Sequence, residues 1–214
     1  MSARRVALTV CRSRPTCFDS GVAPSKDDLQ LWVLRHGTTA WSEKNRHTGR
    51  TDVPLTAEGE ELAAALTGRI GAVGFDLVLA SPLERAFRTA QLAGAPDIRL
   101  EPNAVEWDYG DYEGLTRAQI QAKVPGWNAW THPKMPGGET LDEVAARARS
   151  VIERVRAEAR RRALVVAHGH FLRVLAMCWV EQDPALAMHF TLGPARVGVL
   201  GDDRGVLVVE RWNT

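Results

Sequence analysis

Cysteine is scarce in this chain, and an excess of either charge is missing. The three cysteines, Cys11, Cys17 and Cys178, are odd in number and match no metal-binding spacing. That argues against a disulfide-stapled scaffold or a thiolate metal centre and fits a reducing cytoplasm. Lys and Arg number 27 against 26 Asp and Glu in 214 residues, a net charge of +1. Such a balance gives no general attraction to nucleic acid or to an anionic membrane, so any anion must be met by locally grouped arginines. No apolar run approaches the ~20 residues a membrane span needs. Repeats and low-complexity tracts are also missing, and the length suits one domain with a sizeable core.

The first 28 residues stand apart. Arg4, Arg5, Arg12 and Arg14 precede the first acidic residue, Asp19, while Pro15, Gly21 and Pro24 interrupt any pattern. The apolar stretch Val6 to Val10 is too short for a secretory signal. Residues 1–28 therefore read as an extension, expected to be disordered and outside the folded domain, which is assigned to 29–214.

From Leu29 onward, short apolar runs alternate with helical patterns. Leu29 to Gly37, Phe75 to Ser81 and Ala163 to His170 read as buried strands. Thr56, with Glu58, Glu60 and Glu61 behind it, marks a helix start. Ser81-Pro82-Leu83-Glu84 and Thr140-Leu141-Asp142-Glu143 both have the form of capping boxes. Val144, Ala148, Val151, Val155 and Ala159 recur at helical spacing. A second apolar helix follows from Phe171 to about Val180, and strands near Val197–Leu200 and Val206–Glu210 close the chain as a hairpin. The arginine run Arg160 to Arg162 reads as the end of a helix, where cations oppose the dipole. This alternation predicts an α/β fold: a three-layer sandwich with a mostly parallel sheet and helices on both faces. Residues 102–138, with Trp107, Trp127 and Trp130, break the rhythm and are expected to form a small cap over the C-terminal strand ends, including a short helix near Arg117–Lys123. Pairing of edge strands into a homodimer is compatible with such a sheet, though nothing in the sequence requires it.

Three strands end in chemically useful residues: Arg35-His36-Gly37, Ser81 with Arg85 one turn on, and His168-Gly169-His170. Ligands of open α/β sheets bind beyond the carboxyl ends of the strands, so these groups are expected to meet. Two arginines and two histidines make a pocket for a dianion, with the helix start after Ser81 adding its positive end. Neutral imidazole is a good nucleophile at phosphorus, and neighbouring guanidinium groups keep it unprotonated. A leaving alkoxide would need a proton from a carboxylic acid in the cap. Glu106, Asp108, Asp111 and Glu113 all stand as candidates on this reasoning. His47 and His132 read as rim or surface residues, and His189 as packed near the last strands.

The motif Leu34-Arg35-His36-Gly37 resembles the signature of the histidine phosphatase superfamily, in its phosphoglycerate-mutase-like branch. Further blocks agree in order: Asn45-Arg46-His47-Thr48-Gly49, Asp52 to Thr56, Ser81 to Ala86, Glu106 to Gly110, Pro136 to Thr140 and Ala167 to His170. The resemblance implies that His36 takes the phosphoryl group and Glu106 gives the proton, with Arg35, Arg85 and His168 holding the transferring oxygens. It places Ser42 where many relatives have a phosphate-contacting asparagine, Thr48 and Gly49 at a backbone contact, and Tyr109, Gly169 and His170 in the pocket lining. It also implies a metal-independent enzyme without a cofactor, acting on a small-molecule phosphomonoester such as a sugar phosphate, with no nucleic-acid or membrane partner. Trp107, rather than arginine, follows the acid, and the cap is short with few basic residues, which favours water over a mutase's second substrate as acceptor. A phosphoglycerate mutase and a non-catalytic phosphate-binding protein are the alternatives. Acidic Asp108, Asp111 and Glu113 are expected to disfavour a second highly charged group unless Arg46, Arg50 or Lys134 opposes them.

Overall fold

The computed structural model describes residues 29–132 and 135–214. The expectations for Cys11, Cys17, the extension 1–28 and Lys134 lie outside these residues. Among the described residues six strands form one sheet: β1 (Gln30–Arg35), β2 (Leu77–Ala80), β3 (Arg99–Leu100), β4 (Arg162–Ala167), β5 (Val197–Asp203) and β6 (Val206–Arg211). Their order is β3-β2-β4-β1-β5-β6, with β1, β4, β2 and β3 parallel and the β5–β6 hairpin antiparallel at one edge. The hairpin turns at Arg204 and Gly205, both at positive φ (58° and 86°), as a tight turn with the sheet's twist requires.

Strand alternation divides the core in two. Leu31, Val33, Leu79 and Val165 face α6 (Leu141–Glu158) and α7 (Gly169–Trp179). Trp32, Leu34, Val78 and Val166 face the other way. That second layer is built by α2 (Ala57–Ala64), α3 (Thr67–Gly71) and α4 (Glu84–Leu92), of which α3 and α4 contribute Ile70 and Ala90 to its core. A one-turn helix, α1 (Ala40–Glu43), follows β1, and α5 (Arg117–Lys123) lies in the cap. No helix among the described residues is long and apolar enough to cross a membrane.

Local signals set several boundaries. Thr140 and Glu143 form the expected capping box of α6, and Thr116 with Gln119 forms another that starts α5. The Ser81 box does not form. Helix α4 begins at Glu84 with Leu83 as its cap residue and no side-chain cap bond. The Ser81 hydroxyl is instead 2.8 Å from His168 Nε2, and the Asp52 carboxylate accepts from Glu84 N at 3.0 Å. The positive end of α4 is thus met by Asp52 and not left open for a ligand. The arginine run also differs from expectation: α6 ends at Glu158, and Asp76 accepts from the backbone N–H groups of Arg160, Arg161 and Arg162 where the chain turns into β4. His189 is exposed, at the end of the 3-10 turn Pro184–His189.

The cap is an extension of the core. Trp107, Tyr109, Tyr112, Ile120, Trp127, Trp130 and Met135 belong to the same apolar cluster as the α6–α7 face of the sheet. Large aromatic side chains placed this way bury most area for the fewest ordered residues.

Candidate active site

Beyond the ends of β1 and β4 lies a cavity of about 200 Å³ whose wall includes Arg35, His36, Ser42, Thr48, Glu106 and Tyr109. Gly169 and His170 complete it on the α7 side.

His36 is only 5% exposed. Its Nδ1 lies 2.7 Å from the Gly37 carbonyl oxygen, an acceptor, so Nδ1 carries the proton and Nε2 keeps a free lone pair. Burial, followed by the charges of Arg35 and Arg85, lowers its pKa well below the ordinary histidine value. The strand end is fixed from behind. Gly37 and Gly59 pack backbone to backbone so closely that a Cβ on Gly37 would strike the Gly59 carbonyl. Gly37 N also donates to Thr89 Oγ1 at 2.9 Å.

Arg35 reaches across Gly169. Its Nη1 donates to the Leu192 carbonyl at 2.6 Å, while its buried Nε has no partner among the described residues. A buried guanidinium donor left unpaired costs free energy unless something else accepts from it. A Cβ on Gly169 would lie 3.1 Å from that Nε, so glycine leaves the guanidinium its place.

Arg85 and His168 are fully buried and stand behind His36 instead of in the cavity wall. Arg85 Nε donates to His168 Nδ1 at 3.2 Å, which makes Nδ1 the acceptor and leaves Nε2–H to donate to Ser81. Its remaining nitrogens donate to the carbonyls of Thr51 and Gly49, both at 2.9 Å. Arg85 thereby ties the 48–51 loop to the sheet. The His168 ring lies 5.2 Å from that of His36, centroid to centroid, and burial and then Arg85 lower its pKa well below the ordinary value. Gly49 also sits outside the wall; a Cβ there would strike the Glu113 carboxylate.

Glu106 enters from the cap and is 6% exposed. Its carboxylate accepts from Trp107 N at 2.9 Å, from Phe171 N at 2.8 Å and from His170 N at 3.0 Å. The last two belong to the first turn of α7, so Glu106 occupies the anion position at that helix's positive end. Asp108 and Glu113, the neighbouring carboxylates, are held elsewhere, on Gly110 N and on Thr51 N. Arg147 of α6 braces the strand of chain behind Glu106: it forms a two-pronged pair with Glu139, both contacts at 2.8 Å, and donates to the carbonyls of Asn103 (2.7 Å) and Val105 (3.0 Å).

The hydroxyl of Ser42 donates to Thr39 O at 2.9 Å within the α1 capping box and still reaches the cavity wall. Burial and Glu106 raise the Tyr109 phenol well above its ordinary pKa, and burial followed by Arg173 and His47 lowers His170 well below its own. The phenol therefore donates to His170 Nδ1 with both groups neutral.

The wall also contains Asn45, Arg46, His47, Arg173 and Leu192, none of which had been singled out as site residues. Three of them fall inside the block Asn45 to Gly49. His47, expected at the rim, is half-buried and stacks edge-on against Tyr109 and Trp127. Arg173 lies four residues after Gly169 on α7, a spacing that puts it on the same helix face and could have found it. Leu192, in a loop, carries no such signal. Among the described residues no group of three or more His, Cys, Asp or Glu side chains has metal-ligand geometry.

A mostly parallel α/β sheet with a buried neutral histidine and two buried arginines at its strand ends, and a carboxyl group brought to them by the cap, has the chemistry of a phosphoryl-handling site. The model of the histidine phosphatase superfamily (branch 1) matches residues 31–214, and the chain belongs to that family. It is 40% identical over 181 residues to an acid phosphatase of Mycobacterium tuberculosis, spanning 83% of this chain and 88% of that protein. It is 37% identical over 161 residues to a 2,3-bisphosphoglycerate-dependent phosphoglycerate mutase of Gloeobacter violaceus, spanning 69% and 74%. Among solved structures, an open-reading-frame product of Mycobacterium tuberculosis superposes with a TM-score of 0.83 at 38% identity, covering 87% of this chain and 97% of that one. A mycobacterial glucosyl-3-phosphoglycerate phosphatase in complex with VO3 superposes at 0.79 with 29% identity, covering 87% and 99%.

Proposed function

We propose that this chain is a metal-independent phosphomonoester hydrolase that acts on small phosphorylated metabolites through a phosphohistidine at His36. One observation carries the reading: the free Nε2 of a neutral, buried His36 shares a cavity with the unpartnered Nε of Arg35 and the carboxyl group of Glu106. Phosphoryl oxygens supply the acceptor that Arg35 lacks. His36 Nε2 attacks phosphorus, forming the N–P bond as the bond to the ester oxygen breaks, and protonated Glu106 gives that oxygen its proton. Water then attacks the phosphohistidine while Glu106 takes a proton from it, the N–P bond breaks and inorganic phosphate leaves. Burial, then Arg35 and Arg85, keep His36 neutral, and Arg85 orients His168 without entering the wall.

Water as the acceptor is supported by the position after the acid. Trp107 there is fully buried, with Nε1 donating to Glu139 O at 2.9 Å, so it offers no charge to hold a second anionic substrate. The free thiol Cys178 fits the cytoplasm. Acid quench during turnover should trap an acid-labile, base-stable phosphoenzyme in wild type and none in His36→Ala, with chelator leaving the rate unchanged. Normal turnover by His36→Ala would sink the mechanism, and transfer of phosphate between glycerate positions without release would establish the mutase instead.

A further inference from the structure

Among the described residues the Arg35 side chain makes one hydrogen bond, from Nη1 to the Leu192 carbonyl at 2.6 Å. Leu192 lies in the loop before β5, yet it is only 3% exposed. Its carbonyl and the N–H of Gly193 belong to one planar peptide unit, so whatever fixes one end of that plane fixes the other. The Gly193 N–H donates to Asn213 Oδ1 at 2.8 Å. Two hydrogen bonds in series therefore run from Asn213, through a single peptide, to the guanidinium, and each polarises the other.

The closing hairpin brings these groups together. Because β5 and β6 are antiparallel, the residues leaving β6 pass those entering β5. Val197 and Thr214 exchange both of their backbone bonds at 3.1 Å, and Trp212 Nε1 donates to Thr191 O at 2.7 Å. Asn213, between them, has a φ of 58°, which asparagine tolerates better than most residues. The same loop reaches the nucleophile's backbone, since Ala195 N donates to His36 O at 3.1 Å.

We propose that Asn213 is a positioning residue for the phosphate contact of Arg35, acting through the Leu192–Gly193 peptide. It is exposed and stands outside the cavity wall, so it touches no substrate. The inference rests on the hydrolase reading, in which phosphoryl oxygens meet the free Nε of Arg35.

Calorimetric binding of inorganic phosphate to the full chain tests it, beside turnover of 4-nitrophenyl phosphate. Asn213→Gly suits the positive φ and removes the acceptor. It should raise the Kd for phosphate, and KM with it, about three- to tenfold, the range of one hydrogen bond between neutral groups, while kcat changes less. Asn213→Asp keeps the acceptor and should restore both. Trp212→Phe frees Thr191 O, one peptide earlier, and should leave the Kd unchanged. A purely structural role would instead lower Tm and the fraction of active enzyme with the Kd unmoved. An unchanged Kd in Asn213→Gly, a raised one that Asn213→Asp fails to restore, or an equal rise in Trp212→Phe overturns the proposal. Wild type that binds phosphate with this dependence on Asn213 but turns over no monoester would overturn the hydrolase reading instead.

Discussion

Acid should destabilise this protein earlier and more steeply than its carboxylates alone would dictate. His36 and His168 are buried and neutral, each with a pKa well below the ordinary value, first because of burial and then because of Arg35 and Arg85 for His36, and Arg85 and His36 for His168. In the unfolded chain both titrate near about 6.5. Below that pH the unfolded state binds protons that the folded state refuses, so stability is complete above about 6.5 and falls as the pH drops toward the folded values. Each such histidine contributes a slope of about 1.4 kcal/mol per pH unit, and the pair about 2.7 kcal/mol. His170 and His47, also lowered by burial, add in the same direction. Against a typical total of about 5–15 kcal/mol, two pH units are enough to threaten the fold.

Urea unfolding at a series of pH values from about 6.5 to 5.5 isolates the effect, because ordinary glutamates titrate near about 4.3. His36→Asn removes one of the two titrations and should cut the loss of stability over that unit by about 1 kcal/mol. Saturating inorganic phosphate should flatten it further, since a dianion beside His36 favours the imidazolium of the folded state. A wild-type loss below about 1 kcal/mol over that unit, or one that His36→Asn leaves intact, would refute the claim that these rings are held neutral.

Other perturbations follow from the same contacts. Glu106→Gln should lower kcat about 10²–10⁴-fold on alkyl phosphates and much less on 4-nitrophenyl phosphate; equal losses on both would contradict a role as acid. The same change turns an amide N–H toward a backbone donor at the start of α7, so thermal melts should show a loss of about 1–2 kcal/mol. Gly169→Ala places a Cβ 3.1 Å from Arg35 Nε and should weaken competitive inhibition by inorganic phosphate about tenfold without lowering Tm, and unchanged inhibition would remove Arg35 from phosphate binding. Arg147→Lys gives up the planar fork on Glu139 and the carbonyls of Asn103 and Val105. It should slow alkyl phosphates more than aryl phosphates; a uniform loss would mark Arg147 as structural only.

Where a signal was local, the sequence carried it. Thr140 with Glu143 fixes the start of α6, and the alternation of Leu31 and Val33 against Trp32 and Leu34 already separates the two faces of the sheet. Ser81 shows what local reading misses. Its hydroxyl had a nearby backbone to cap, but a histidine 87 positions away bonds it instead. Arg85 could pass in sequence for a solvated helix residue, and only the fold shows it buried with four hydrogen bonds to His168 and loop carbonyls. Asn45, Arg46 and His47 were visible as part of a motif, yet their place in the wall depends on how the chain after α1 curves under the cap.

Glu106 is the one member of the proposed reacting set that does not come from a strand end, so its position depends on whether the cap moves. Three backbone N–H groups hold its carboxylate, two of them from α7, and Arg147 of α6 grips the carbonyls on either side of Ala104 just before it. Trp107 and Tyr109, immediately after it, are buried in the cluster that also contains Leu31, Val165 and Phe171. Moving the acid would therefore mean breaking three hydrogen bonds and exposing aromatic surface together, at a cost of several kcal/mol. The excursion over the strand ends is in this sense part of the sheet's own framework. In the proposed mechanism the acid and the nucleophile meet the substrate in positions already set, which is what an electrostatically pre-organised site requires. Selectivity must then come from what the fixed walls admit.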